Sequence, residues 1–105
     1  MTAADATQPP LDRGALSTFV ERKWDDEIVP ALTDYIAIPA KSPAFDANWS
    51  EHGYLERVVA DAAAWAEAQR VHGLTLEIVR LPGRTPVIFF EAPATRSGSG
   101  ESIVL

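Results

Sequence analysis

At Gly73 the apolar pattern of this chain changes its period, and that change limits the folds open to it. Before it, Leu55, Val58, Val59, Ala62, Trp65, Ala66 and Gln69 recur at three- and four-residue steps, the spacing of one helix face. After it, Leu74, Leu76 and Ile78 alternate with Thr75, Glu77 and Val79, the two-residue period of a half-buried strand that lengthens to Leu81. Glycine takes positive φ without steric cost, so Gly73 is a natural stop for the helix. Pro82-Gly83-Arg84-Thr85-Pro86 reads as a turn, and residues 87–90 as a second strand, apolar on both faces and closed by Pro93. The two strands predict an antiparallel hairpin, and the fold class is α/β.

Upstream, Asn48 stands three residues before Glu51, the spacing of reciprocal helix capping. One helix is therefore expected from there to about His72, with Glu56, Arg57, Asp61, Ala64 and Glu67 on its wet side. Residues 38–46 hold two prolines in nine positions and read as a loop. An earlier helix starts after Asp12, whose carboxylate can accept from free amides of the first turn. Its apolar stripe runs through Leu16, Phe19, Val20, Trp24 and Ile28, then Leu32, Tyr35 and Ile36. Pro30 removes one amide and crowds the preceding turn, so this helix is expected to be kinked or split there and to end before Pro39. The run Asp25-Asp26-Glu27 suits the start of a restarted helix, where negative charge is favoured. Residues 1–11 are expected to be a disordered tail.

Ser102-Ile103-Val104-Leu105 follows a loop of small polar residues and reads as a third strand cut short, apolar on both faces as in a covered sheet. The expectation is that residues 12–105 open a larger α/β domain. Unpaired strands at 87–90 and 102–105 invite other chains, so the isolated stretch is expected to self-associate or be largely insoluble.

Composition excludes several classes. With 47% apolar and 23% charged residues the chain is ordinary globular material. A net charge of −6 argues against nucleic acid and gives no attraction to an anionic membrane. No apolar stretch approaches the roughly 20 residues of a spanning helix, and the first ten residues lack the pattern of a secretory signal. The absence of cysteine excludes disulfides and thiolate metal sites and fits a cytoplasmic setting.

No catalytic, cofactor-binding or metal-ligating residue can be assigned. The two histidines, His52 and His72, sit at opposite ends of one expected helix, about 30 Å apart, too far to share an ion. Successive helical positions such as Asp25-Asp26-Glu27 point to different faces and make no carboxylate cluster. Gly98-Ser99-Gly100 precedes a strand rather than a helix, so it is not a phosphate loop. Ser42 and Ser97 lack a nucleophile-elbow context. Trp24 and Trp65 are expected in the core; Trp49, at a helix start, can line a cleft.

Ile36-Ala37-Ile38-Pro39 followed by Ser42-Pro43 resembles the entry of the di-zinc exopeptidases related to carnosinase, aminoacylase and glutamate carboxypeptidase (metallopeptidase family twenty), nearest the dipeptidase branch. In that family a first helix leads into an Ile-Pro-x-x-Ser loop, then a long helix, a glycine and a hairpin. Residues 82–87 look like its turn into the second strand, and residues 102–105 like the strand that precedes its His-x-Asp metal motif. The likeness spans residues 16–105 and touches structural phrases; the metal motifs themselves are not in this sequence. It implies that residues 12–105 are an incomplete N-terminal part of a peptidase catalytic domain. The full enzyme would hydrolyse dipeptides or N-acyl amino acids with two zinc (or cobalt or manganese) ions, and would dimerise through an inserted domain not present here. The 105 residues alone would be inactive. The rival readings are a stand-alone, non-catalytic α/β interaction module and an inert remnant of the peptidase.

Overall fold

The structure, a computed structural model, describes residues 10–94 and 100–105. It is a mixed α/β chain of helices and one antiparallel hairpin, and it divides into two compact units between Ala37 and Ile38. Most of the expected tail lies outside the described residues; Pro10 and Leu11 are exposed and non-helical.

The first unit is an unbroken helical rod. Helix α1 covers Arg13–Lys23 and α2 covers Val29–Ala37, joined by a π-helical turn at Trp24–Ile28. Asp12 caps the rod as its position implies: the Ala15 amide donates to Oδ1 at 3.0 Å. Pro30 neither splits the rod nor restarts it. An α-helical Pro30 would leave the Asp26 carbonyl without a donor and press its ring against that group. The chain opens the preceding turn instead, and the Val29 amide bonds back five residues to the Trp24 carbonyl. The acidic run therefore lies on the π turn rather than at a helix start. Glu27 pairs there with Lys23 across 2.5 Å. The rod ends at Ala37, two residues short of Pro39.

None of the rod's side chains is buried. Trp24 is 51% exposed, which corrects its expected place in a core. Leu16, Phe19, Val20, Leu32, Tyr35 and Ile36 are exposed as well, and only Ile28 of the stripe is half-buried.

The second unit carries the core, made of Ile38, Val59 and Ala63. Its loop is organised by Ser42, whose carbonyl accepts the amides of Phe45 and Asp46. The single helix expected over 48–72 is two: α3, Trp49–His52, and α4, Tyr54–Ala68. Gly53 separates them at φ 71°, a left-handed conformation that breaks the ladder. The reciprocal cap expected between Asn48 and Glu51 does not form, for the Asn48 side chain caps nothing. Helix α4 ends at Ala68 with Gln69 as its cap and Arg70 in the left-handed region at φ 51°, so Gly73 is not its stop and the two histidines do not share a helix. Of its two sides, Val59 and Ala63 are buried and Leu55, Val58, Ala62, Ala66 and Gln69 half-buried. Trp65, expected among them, is 40% exposed.

The hairpin holds. Strand β1, Thr75–Val79, pairs antiparallel with β2, Val87–Glu91, in a register that sets Leu76 opposite Phe90 and Ile78 opposite Ile88. Helix α4 packs on both strands. Leu76, Ile78 and Ile88 are half-buried, while Val79, Val87 and Phe89 of the other face stay exposed. The Arg84 amide bonds to the Leu81 carbonyl around Pro82-Gly83, with Gly83 at φ 72°, as a type II turn requires. Gly73 also has positive φ, and a Cβ there would come within 3.2 Å of the Pro93 ring, so it closes the base of the hairpin. The third strand does not form: residues 102–105 belong to no strand, and Ile103, Val104 and Leu105 are exposed.

Candidate functional site

The polar chemistry of the second unit gathers where α3 and α4 meet the hairpin turn. Two ion pairs hold this region. Arg80, just past β1, donates from Nε to Glu56 Oε1 at 3.0 Å and from Nη2 to Oε2 at 2.8 Å. This fork-to-fork geometry uses the planar guanidinium fully. The hydrogen bonds from Arg80 hold the Glu56 carboxyl below the usual glutamate range, and the same bonds raise the Arg80 guanidinium.

The second pair is local. Asp46 accepts the Asn48 amide on Oδ1 at 3.1 Å and meets His52 Nδ1 on Oδ2 at 2.7 Å. The hydrogen bond to His52 is the main reason its carboxyl lies below the ordinary aspartate range. An ionised carboxylate only accepts, so His52 Nδ1 carries the hydrogen and Nε2 is left facing away from Asp46. The imidazole also leans on the Tyr54 ring, with centroids 5.7 Å apart. The Asp46 carboxylate thus holds the Asn48 amide at the head of α3 and fixes the orientation of the His52 imidazole. The Asp-x-Asn spacing at 46 and 48 was the available signal for the first contact; the six-residue step to His52 carries none.

Beside the Glu56–Arg80 pair lies a groove of about 210 Å³ lined by Trp49, Leu55, Glu56, Arg80, Arg84 and Pro86, among others. Trp49 lines a cleft, as its position allowed. The walls are apolar side chains and the Glu56–Arg80 bridge, with Arg84 as a second guanidinium at the turn. A larger recess beside Ala15, Thr18, Phe19, Arg22, Asp26 and Glu27 is walled by a single helix and is open surface.

The arrangement can orient an imidazole and can hold an acidic group against guanidinium. It does not assemble a metal centre: among the described residues no group of three or more His, Asp or Glu side chains converges. Ser97 and the Gly98-Ser99 pair lie outside the described residues. Also among the described residues, no helix is long and apolar enough to cross a membrane. No family model matches the chain, and no curated protein matches it.

Proposed function

We propose that this chain is an N-terminal part of a metal-dependent hydrolase acting on the amide bond of dipeptides or N-acyl amino acids. The observation that carries the reading is the order of its elements. A helix ending at Ala37 leads into Ile38-Pro39 and the Ser42 turn, then α4, then Gly73 at positive φ, then an antiparallel hairpin. That is the order the resemblance to the di-zinc exopeptidases implies. The burial of Ile38 adds to it, because it gives the Ile-Pro phrase a packing role.

The residues present do not fit a di-zinc site. There is no cysteine, His52 is engaged by Asp46, and no donor group of three converges among the described residues. The metal ligands therefore belong to sequence outside these 105 residues, and no catalytic step is assigned to the residues described. Their part is to build the helices and hairpin on which such a site is mounted.

The test is to express the reading frame continued past Leu105, strip the product with chelator, and assay a small panel of dipeptides and N-acyl amino acids before and after metal return. The expected result is a His-x-Asp segment directly beyond Leu105 and hydrolysis that returns with zinc, cobalt or manganese. A stop codon after Leu105, a continuation lacking that His and Asp, or activity that survives complete metal removal overturns the reading. The second reading, a non-catalytic interaction module, is favoured by the exposed apolar stripe of the first unit.

A further inference from the structure

The ladder Leu16, Val20, Trp24, Ile28 and Leu32 advances by four residues at every rung. On a regular α-helix four residues overshoot a full turn by about 40°, since 3.6 complete it, so such a ladder spirals off its face. Here the π turn lies under the step from Trp24 to Ile28. A turn closed five residues back is wider, so that step falls short of a full revolution and winds the ladder back. The π turn keeps the five rungs on one side of the rod, and all but the half-buried Ile28 are exposed there.

The ladder is also nearly symmetric about Trp24. Leu16 stands eight residues before it and Leu32 eight after; Val20 stands four before and Ile28 four after. An antiparallel pair centred on Trp24 therefore sets Leu16 against Leu32 and Val20 against Ile28. Charge then chooses the orientation. Residues 12–23 carry Arg13, Arg22 and Lys23 against Asp12 and Glu21, and are net basic; residues 24–37 carry Asp25, Asp26, Glu27 and Asp34 and no basic residue. Two parallel rods would set the acidic halves side by side. Two antiparallel rods set each acidic half beside a basic one, and oppose the helix dipoles as well.

We infer that the occupant of this face is a second copy of the chain, packed antiparallel about a two-fold axis near Trp24. The inference does not rest on the hydrolase reading. The interface is isologous, each ladder meeting its own reverse.

The experiment uses the whole 105-residue chain. Light scattering behind a sizing column, from micromolar to several hundred micromolar, is expected to show a concentration-dependent dimer. Trp24→Glu, at an exposed position, should raise its dissociation constant by about tenfold or more while helical circular dichroism is kept. Phe89→Thr, on the exposed face of the hairpin, should leave it unchanged. Orientation is read from a chain that has no cysteine of its own. Leu16→Cys and Leu32→Cys variants should each cross-link poorly alone and cross-link readily when mixed. A chain that stays monomeric throughout overturns the inference, with the face then left to a further segment or another protein. Association that survives Trp24→Glu but falls with Phe89→Thr overturns it in favour of strand pairing. Efficient cross-linking of Leu16→Cys to itself overturns the antiparallel arrangement.

Discussion

Arg80 reaches across 24 positions of sequence to grip Glu56, fastening the end of β1 to the first turn of α4 through two hydrogen bonds. Both side chains are about half exposed. The pair therefore steers the hairpin onto the helix more than it stabilises the unit. Glu56 titrates lower in the folded chain than in the unfolded one. Its contribution is thus complete above the ordinary glutamate range and is lost as pH falls through the depressed folded value. In Glu56→Gln the melting temperature should fall less steeply on acidification than in the parent, and the gap between the two should shrink in high salt. Equal pH slopes for both proteins would show that the bridge does not contribute in solution.

Asp46 has the same sign and a more local effect. Its carboxylate serves the Asn48 amide and His52 together, and its lowered pKa places the loss of both contacts at acid pH. Asp46→Ala should speed hydrogen exchange of the Asn48 amide severalfold and shift the His52 ring resonances, leaving amides in β1 and β2 unchanged. Uniform acceleration through the hairpin would mean that the pair supports the whole unit.

Gly53 and Gly73 separate backbone strain from crowding. Both have positive φ, at 71° and 73°. An added Cβ at Gly53 meets nothing within 4 Å, whereas at Gly73 it meets the Pro93 ring at 3.2 Å. Gly53→Ala should cost about 1 kcal/mol from the left-handed backbone alone. Gly73→Ala should cost more, because the ring must move too. Denaturant unfolding of the two variants compares them directly, and the reverse order would refute the assignment of Gly73 as the tighter position.

Val59 is one of the few buried side chains, at 8% exposure. Val59→Ala should destabilise the second unit by about 2 kcal/mol, the transfer of the lost methyl groups plus the cavity they leave. Trp65→Ala removes a far larger side chain from a 40% exposed position, so its cost per atom removed should be smaller. Denaturant midpoints, with near-ultraviolet circular dichroism to follow packing, test the pair.

Pro30→Ala restores an amide to the rod. Ordinary four-residue bonds can then run through Trp24–Ile28, and the π turn should close into regular helix with a gain in helical circular dichroism. The same change should weaken self-association, because the ladder would again spiral off its face. A variant that associates as tightly as the parent would separate the π turn from the interface.

What the sequence alone determined was local. Asp12 capping α1, the end of the first rod before Pro39 and the Leu76–Ile78 alternation each follow from residues within a few positions of one another, whereas the stop expected at Gly73 gave way to one at Arg70. Backbone sterics and side-chain periodicity act over that distance. Other outcomes depended on competition between neighbours that are individually plausible. Asn48 and Asp46 both suit a cap, and only the course of the 42–46 turn placed the Asp46 carboxylate over the Asn48 amide. Gly53 is tolerable inside a helix, and Pro30 can break, kink or widen one; geometry selected a break at the first and a π turn at the second. The clearest division concerns burial. The apolar stripe through Trp24 and the apolar face through Val59 are written in the same helical period, yet Val59 is buried and Trp24 is exposed. Period states which side of a helix is apolar, because it is a property of the helix alone. Whether anything covers that side depends on elements brought close in space, as the hairpin is brought to α4, and that only the tertiary structure decided.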